Sequence, residues 1–178
     1  MDIEKLKKQE KKIAVHKYQW HPIEKGYNNR TLYVNVGSGA ISEKPVSQFM
    51  KDKFVGGKGF GLKLLWDATT PATKWNDPEN EIIISPGPIG GITQYSGAGK
   101  SLVVSISPQT DSVMDSNVGG FFGPFMKFAG FDALEIQGKA EKDVIIYIDG
   151  VNHIIEIYED PGFSNDSHLL GEELTEYF

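Results

Sequence analysis

Glycine clusters cut this chain into short segments, and the one at Ser116–Asp132 constrains it most. That stretch reads Ser-Asn-Val-Gly-Gly-Phe-Phe-Gly-Pro-Phe-Met-Lys-Phe-Ala-Gly-Phe-Asp. A small polar segment and two glycines lead into an aromatic run at roughly helical spacing that ends at Gly130. Adjacent glycines at the mouth of a helix let a ligand approach the backbone. They also leave N–H groups free to meet an anion. Phe121, Phe122, Phe125, Met126 and Phe128 cover most of the helix surface, a pattern more often found in a core than in a cofactor box.

The other segments read as short strands around such turns. Thr31–Val36 alternates with period two, Gly37-Ser38-Gly39 is a hairpin-type turn, and Ala40–Lys44 is the returning strand. Ser47 can cap a short helix through Lys53. Val55–Gly61 is a glycine cluster opening a helix over Leu62–Ala68. Glu81–Ser85, Leu102–Ser107 and Val113–Ser116 read as strands, the last feeding the glycine-opened helix. Ala133–Gln137, Val144–Asp149 and Ile154–Glu159 follow, with Gly138–Asp143 and Gly150–Asn152 as hairpin connections. His168–Phe178 reads as an amphipathic helix with Ser167 as its cap. Short connections and few helices predict an antiparallel, β-dominated α+β domain.

Composition narrows the function classes. At 178 residues the chain fits one domain with a core of its own. It has no cysteine, so it makes no disulfide, thiolate zinc site or iron–sulfur ligand set. A net charge of −6 disfavours nucleic acid as a partner. No apolar run approaches the roughly 18 residues that a membrane span requires. No secretory signal is visible, and the expected location is cytoplasmic. Met1–Lys17 carries six lysines against three acids. It is expected to be a solvated, basic extension or a docking arm for an acidic partner subunit.

Two glycine motifs resemble phosphate loops without matching them. Gly57-x-Gly59-x-Gly61 misses the dinucleotide spacing. Gly99-Lys100-Ser101 lacks the upstream P-loop glycine, because residue 94 is Gln94, and a strand follows it rather than a helix. The four histidines, His16, His21, His153 and His168, are scattered, and none is assigned to a metal.

The ordered set of landmarks is more specific than any one of them. Gly56-Gly57-Lys58-Gly59-Phe60 is followed by Asp77-Pro78-Glu79-Asn80, the strand Ile82–Ile84 and Gly87-Pro88-Ile89-Gly90-Gly91. Then come Lys100, Ser107-Pro108, Asn117-x-Gly119-Gly120-Phe121-Phe122-Gly123, Met126–Asp132 and Gly138-Lys139-Ala140. From about Arg30 to Gly150 the chain resembles the N-terminal domain of the tungsten- or molybdenum-dependent aldehyde:ferredoxin oxidoreductases.

The resemblance implies a β-dominated, two-sheet, sandwich-like α+β domain with a few short helices, serving as the base of a metal-bis-pterin (molybdopterin) site. It implies that Asn117 holds Mg2+ between the pterin phosphates through its backbone carbonyl. Val118, Gly119 and Gly120 would bring backbone against the cofactor, and Lys58 would line the same face. Lys100 stands where many members have arginine, keeping the charge without the planar fork. The phenylalanines would support the turn from behind. Residues 1–29 are then a basic extension and 30–178 the pterin-binding domain, incomplete at its C-terminal end. A larger cysteine-containing partner would supply a [4Fe–4S] cluster, the rest of the pterin site and the substrate pocket, with ferredoxin or a similar carrier accepting electrons. The expected role is a small subunit or fragment in aldehyde oxidation. The alternatives are the same role in an aromatic acyl-CoA reductase and a non-catalytic module that carries cofactor or assists assembly.

Overall fold

The computed structural model describes residues 3–178. Its chain runs α1 (Ile3–Lys8), β1 (Lys11–Lys17), β2 (Arg30–Asn35), β3 (Ala40–Pro45), α2 (Gln48–Phe54), α3 (Lys58–Ala68) and β4 (Glu81–Pro86). It continues with β5 (Ser101–Ile106), β6 (Val113–Val118), α4 (Phe122–Ala129), β7 (Leu134–Gln137), β8 (Val144–Asp149), β9 (Ile154–Glu159) and α5 (Ser167–Tyr177). The strands form two sheets, β1-β9-β8 and β3-β2-β7-β4-β5-β6, so the two-sheet α+β expectation holds.

Side-chain alternation explains the layers. Leu32 of β2, Leu134 of β7 and Ile84 of β4 stand in register across the large sheet. On this face Leu32, Val34 and Leu134 pack with Ile155 and Ile157 of β9 and with Phe131, closing the main core between the sheets. Each fully buried aliphatic side chain there contributes roughly 1.5–3 kcal/mol. The opposite face holds Ile83 and Val104, which pack under Leu65 of α3.

Four expectations are corrected. First, β2 and β7 pair in parallel, so the large sheet is mixed. β7 sits between β2 and β4, which are far apart in the chain, and hydrogen-bonds to both. Gly138–Asp143 therefore crosses from one sheet to the other instead of closing a hairpin. Second, the basic N-terminal segment is not a solvated tail over its described part. β1 pairs antiparallel with β9, and Lys11 and Lys12 meet Glu159 and Glu156 at 2.7 and 2.6 Å. Ile3 and Leu6 of α1 are buried against Phe163 and Tyr177. Third, α3 begins at Lys58, so Gly59 and Gly61 lie inside the helix rather than before it. A Cβ at Gly61 would stand 2.5 Å from Val104 Cγ2, and one at Gly59 would stand 2.2 Å from Phe54 O. These two glycines serve helix packing, not ligand approach. Fourth, α5 is capped by Asp166, whose carboxylate accepts from the N–H groups of His168 and Leu169. The expected cap of α2 is present: Ser47 Oγ accepts from the Met50 N–H.

Candidate functional site

One end of the large sheet gathers the glycine segments. β4 ends at Pro86, β5 begins at Ser101, and β6 runs through Val118 with Asn117 opposite Leu102 and Val118 opposite Ser101. Asn117 and Val118 thus belong to an edge strand, two residues longer than the sequence predicts, and Gly119-Gly120 lead from it to α4. α3 and α4 both start at this end, preceded by Gly57 and Phe121.

Backbone geometry explains the glycines that matter. Gly57 takes φ +52 and Gly120 φ +103, in the left-handed region that side chains disfavour. Gly119, Gly120 and Gly87 have no atom within 4 Å of where a Cβ would stand, so space lies open beside each. A Cβ at Gly99 would stand 3.1 Å from Gly120 O, which places the loop carrying Lys100 against the Gly119–Gly120 turn. Lys100 is exposed and lines a cavity of about 250 Å3 with Gly56, Gly57, Gly87, Gly90 and Leu102.

Lys58 is tied to this end through an acid that sequence reasoning missed. Its Nζ stands 2.7 Å from Asp115 Oδ1, an ion pair open to solvent. Asp115 lies two residues before Asn117 on β6, and strand alternation could have indicated that it shares Asn117's side of the strand. Ser101, beside Lys100, is buried with its hydroxyl oxygen lacking a partner. α4 starts without a capping side chain, so its first N–H groups have no side-chain acceptor. The structure thus brings Lys100, Gly120, Gly57 and Gly87 together at one end, with Lys58 linked to the adjoining strand. Among the described residues no group of three His, Cys, Asp or Glu could hold a metal ion.

The aromatic expectation is corrected. Phe121 is 77% exposed and Phe125 63%, and their rings stack with centroids 5.9 Å apart. Phe122 and Phe128 are exposed as well, while Gly123, Met126, Lys127 and Ala129 are the buried residues of this helix. Helical spacing identifies an apolar surface, but it does not say whether this chain covers it. A groove lined by Phe122, Phe125 and Phe128 runs between α4 and the β8–β9 turn.

These features give a β-dominated domain with one glycine-rich end that presents open backbone beside an exposed lysine. The aldehyde ferredoxin oxidoreductase N-terminal domain family matches residues 31–177, and the chain belongs to that family. A tungsten-containing aldehyde ferredoxin oxidoreductase of Thermococcus kodakarensis is 37% identical over 147 residues, covering 83% of this chain and 23% of that protein. The Pyrococcus horikoshii enzyme of the same name is 37% identical over 127 residues, 71% of this chain and 21% of that protein. A Pyrococcus furiosus aliphatic sulfonate oxidoreductase, WOR-like subunit, is 35% identical over 136 residues, 74% and 21% of the two chains. Among solved structures, the active-site complex BamBC of benzoyl coenzyme A reductase aligns with a TM-score of 0.75 at 29% identity, covering 85% of this chain and 23% of that one. The chain spans less than a quarter of the length of each of these relatives. No helix among the described residues is long and apolar enough to cross a membrane.

Proposed function

We propose that this chain forms the base of a tungsten- or molybdenum-bis-pterin site in an aldehyde-oxidising enzyme of this family, acting in the cytoplasm. One observation carries the reading: open space beside Gly87, Gly119 and Gly120, next to Lys100 and the uncapped start of α4. That donor set fits a phosphate-bearing, flat polar group, which needs N–H groups, a cation and close backbone approach. Lys100 would meet a pterin, and Val118, Gly119 and Gly120 would lie against it. The Asn117 carbonyl would hold Mg2+, and Lys58 would leave or share Asp115 to face the anion. The bound metal would supply the redox chemistry, in which an aldehyde and water give a carboxylate, two electrons and three protons. This chain's own part is to bind and orient the cofactor.

The remainder of the site would come from polypeptide outside these residues. That polypeptide would carry the cysteines of a [4Fe–4S] cluster, and ferredoxin or a similar carrier would take the electrons. The exposed phenylalanines of α4 support such a covering partner, since solvent-facing aromatics in a contiguous row mark interaction surfaces. A second reading, the same role in reduction of an aromatic acyl-CoA, is favoured by the resemblance to the benzoyl coenzyme A reductase complex.

Purification of the chain from native extract tests the proposal. Tungsten or molybdenum, pterin and iron in near-stoichiometric amounts with a cysteine-containing polypeptide are expected. Metal-free protein without a partner would sink it. Gly119→Val should lose the metal by blocking backbone approach, whereas Asn117→Asp should keep most of it because the carbonyl remains. Equal metal content in the two variants would count against this placement.

A further inference from the structure

The large sheet carries a second polar feature, on the face that packs against α3. Thr31, Tyr33, Lys44, Glu81 and Glu135 project there and line a cavity of about 550 Å3, with Asp67 of α3 on its wall. Glu81 and Glu135 are each 1% exposed. Glu135 is satisfied: one oxygen accepts from the Thr31 hydroxyl and the other from Lys44 Nζ at 2.5 Å. Glu81 is not. Its Oε1 stands 4.0 Å from Lys44 Nζ, and its Oε2 has no partner.

Charge does not balance in this cavity. Lys44 is the cation between the two glutamates, and its ammonium also lies 4.0 Å from the centroid of the Tyr33 ring. Asp67 adds a third acid but is matched by Lys63 four residues earlier on α3. One buried carboxyl group is left without a counter-charge, at a cost that a cation with N–H donors would remove. The side chain of Lys44 is 43% exposed, so the cavity mouth is open to solvent beside it. The acids fall short of a three-ligand metal site among the described residues. An ammonium suits them because it needs only acceptors.

We propose that this cavity binds a small aliphatic primary amine, whose ammonium group donates to Glu81 and Glu135 beside Lys44. The site is independent of the pterin reading, since it lies on the α3 face of the sheet and uses none of the cofactor residues. Burial, and then the neighbouring Glu135, push the Glu81 carboxyl up to about 7, with Asp67 adding to the rise and Lys44 opposing it. Amine binding therefore displaces a proton from Glu81 below that pH and needs no proton release above it.

The test is titration of the full chain with 1,4-diaminobutane, followed by NMR shifts of the Thr31, Glu81 and Glu135 amides, with sodium chloride at matched ionic strength as the control. Saturable shifts confined to the cavity are expected. Affinity should be about tenfold weaker at pH 6 than at pH 8, because one group must ionise. Glu81→Gln should abolish the shifts. If that variant does not fold, Asp67→Asn, at the exposed wall, should still fold and weaken binding a few-fold. Lack of saturation at pH 8, equal shifts with sodium chloride, or unchanged affinity in whichever variant folds would overturn the proposal.

Discussion

The two ends of α4 differ in almost every respect. At its start, Gly119 and Gly120 face open space, Phe121 is exposed, and no side chain caps the helix. At its end, a buried network holds the chain, with only Asn28 Oδ1, Arg30 Nη2 and Asp132 Oδ2 left without partners among its described polar atoms. Lys127 is 1% exposed, and its Nζ donates to Asp132 Oδ1 at 2.6 Å and to Gly26 O at 2.7 Å. Asp132 also accepts from the Asn28 N–H at 3.0 Å. Tyr18, Trp20 and Arg30 donate to the carbonyls of Ala129, Phe128 and Gly130 at 2.7, 3.1 and 2.9 Å. Gly130 closes the helix in the left-handed conformation, φ +103. A binding surface needs a fixed support. The buried end supplies rigidity, and the open end leaves the backbone beside Gly119 and Gly120 accessible.

Breaking the anchor should have the largest effect. Lys127→Met leaves Asp132 as an uncompensated buried charge and should cost about 3–5 kcal/mol in urea unfolding. A smaller effect comes from the buried charge that already lacks a partner. Glu81 has a folded pKa of about 7 against an ordinary 4.5. The folded state therefore holds its proton more tightly. The stabilisation is fully present below the unfolded value and is lost as pH rises from about 4.5 to about 7. The loss should reach about 3 kcal/mol, and Glu81→Gln should remove it, as seen by comparing unfolding at pH 4 and pH 8. A comparison of two glycines is finer still. Gly130→Ala forces a side chain into the left-handed region, with its Cβ 2.8 Å from Arg30 Nη2, and should cost about 1–2 kcal/mol. Gly119→Ala meets nothing and should leave stability within about 0.5 kcal/mol. Equal losses for the two glycines would mean that α4 has no anchored and open ends.

Several features of the fold were legible in the sequence because their causes are local. The glycines before α4 and the Ser47 cap are examples, and the ordered landmarks identified the family. The exposure of Phe121 and Phe125 was not legible, since an apolar helix face has the same spacing whether this chain or another covers it. Asp115 was missed because its link to Lys58 joins residues far apart in the chain, and a single strand pattern does not show its ion partners. Glu135 was not legible because its partners Thr31 and Lys44 lie on distant strands, brought beside it only by the pairing of β2 with β7 and β3.

By itself the sequence determined the short strands other than β1, most turns, the lack of cysteine ligands and the family. Period-two patterns, capping residues and glycine conformations act over a few residues, so they can be read along the chain. Only the tertiary structure decided that β7 enters between β2 and β4, that β1 joins β9, and that Gly59 and Gly61 pack a helix while Gly119 and Gly120 stay open. Those outcomes depend on what fills the space beside each residue, and that space is set by segments distant in sequence.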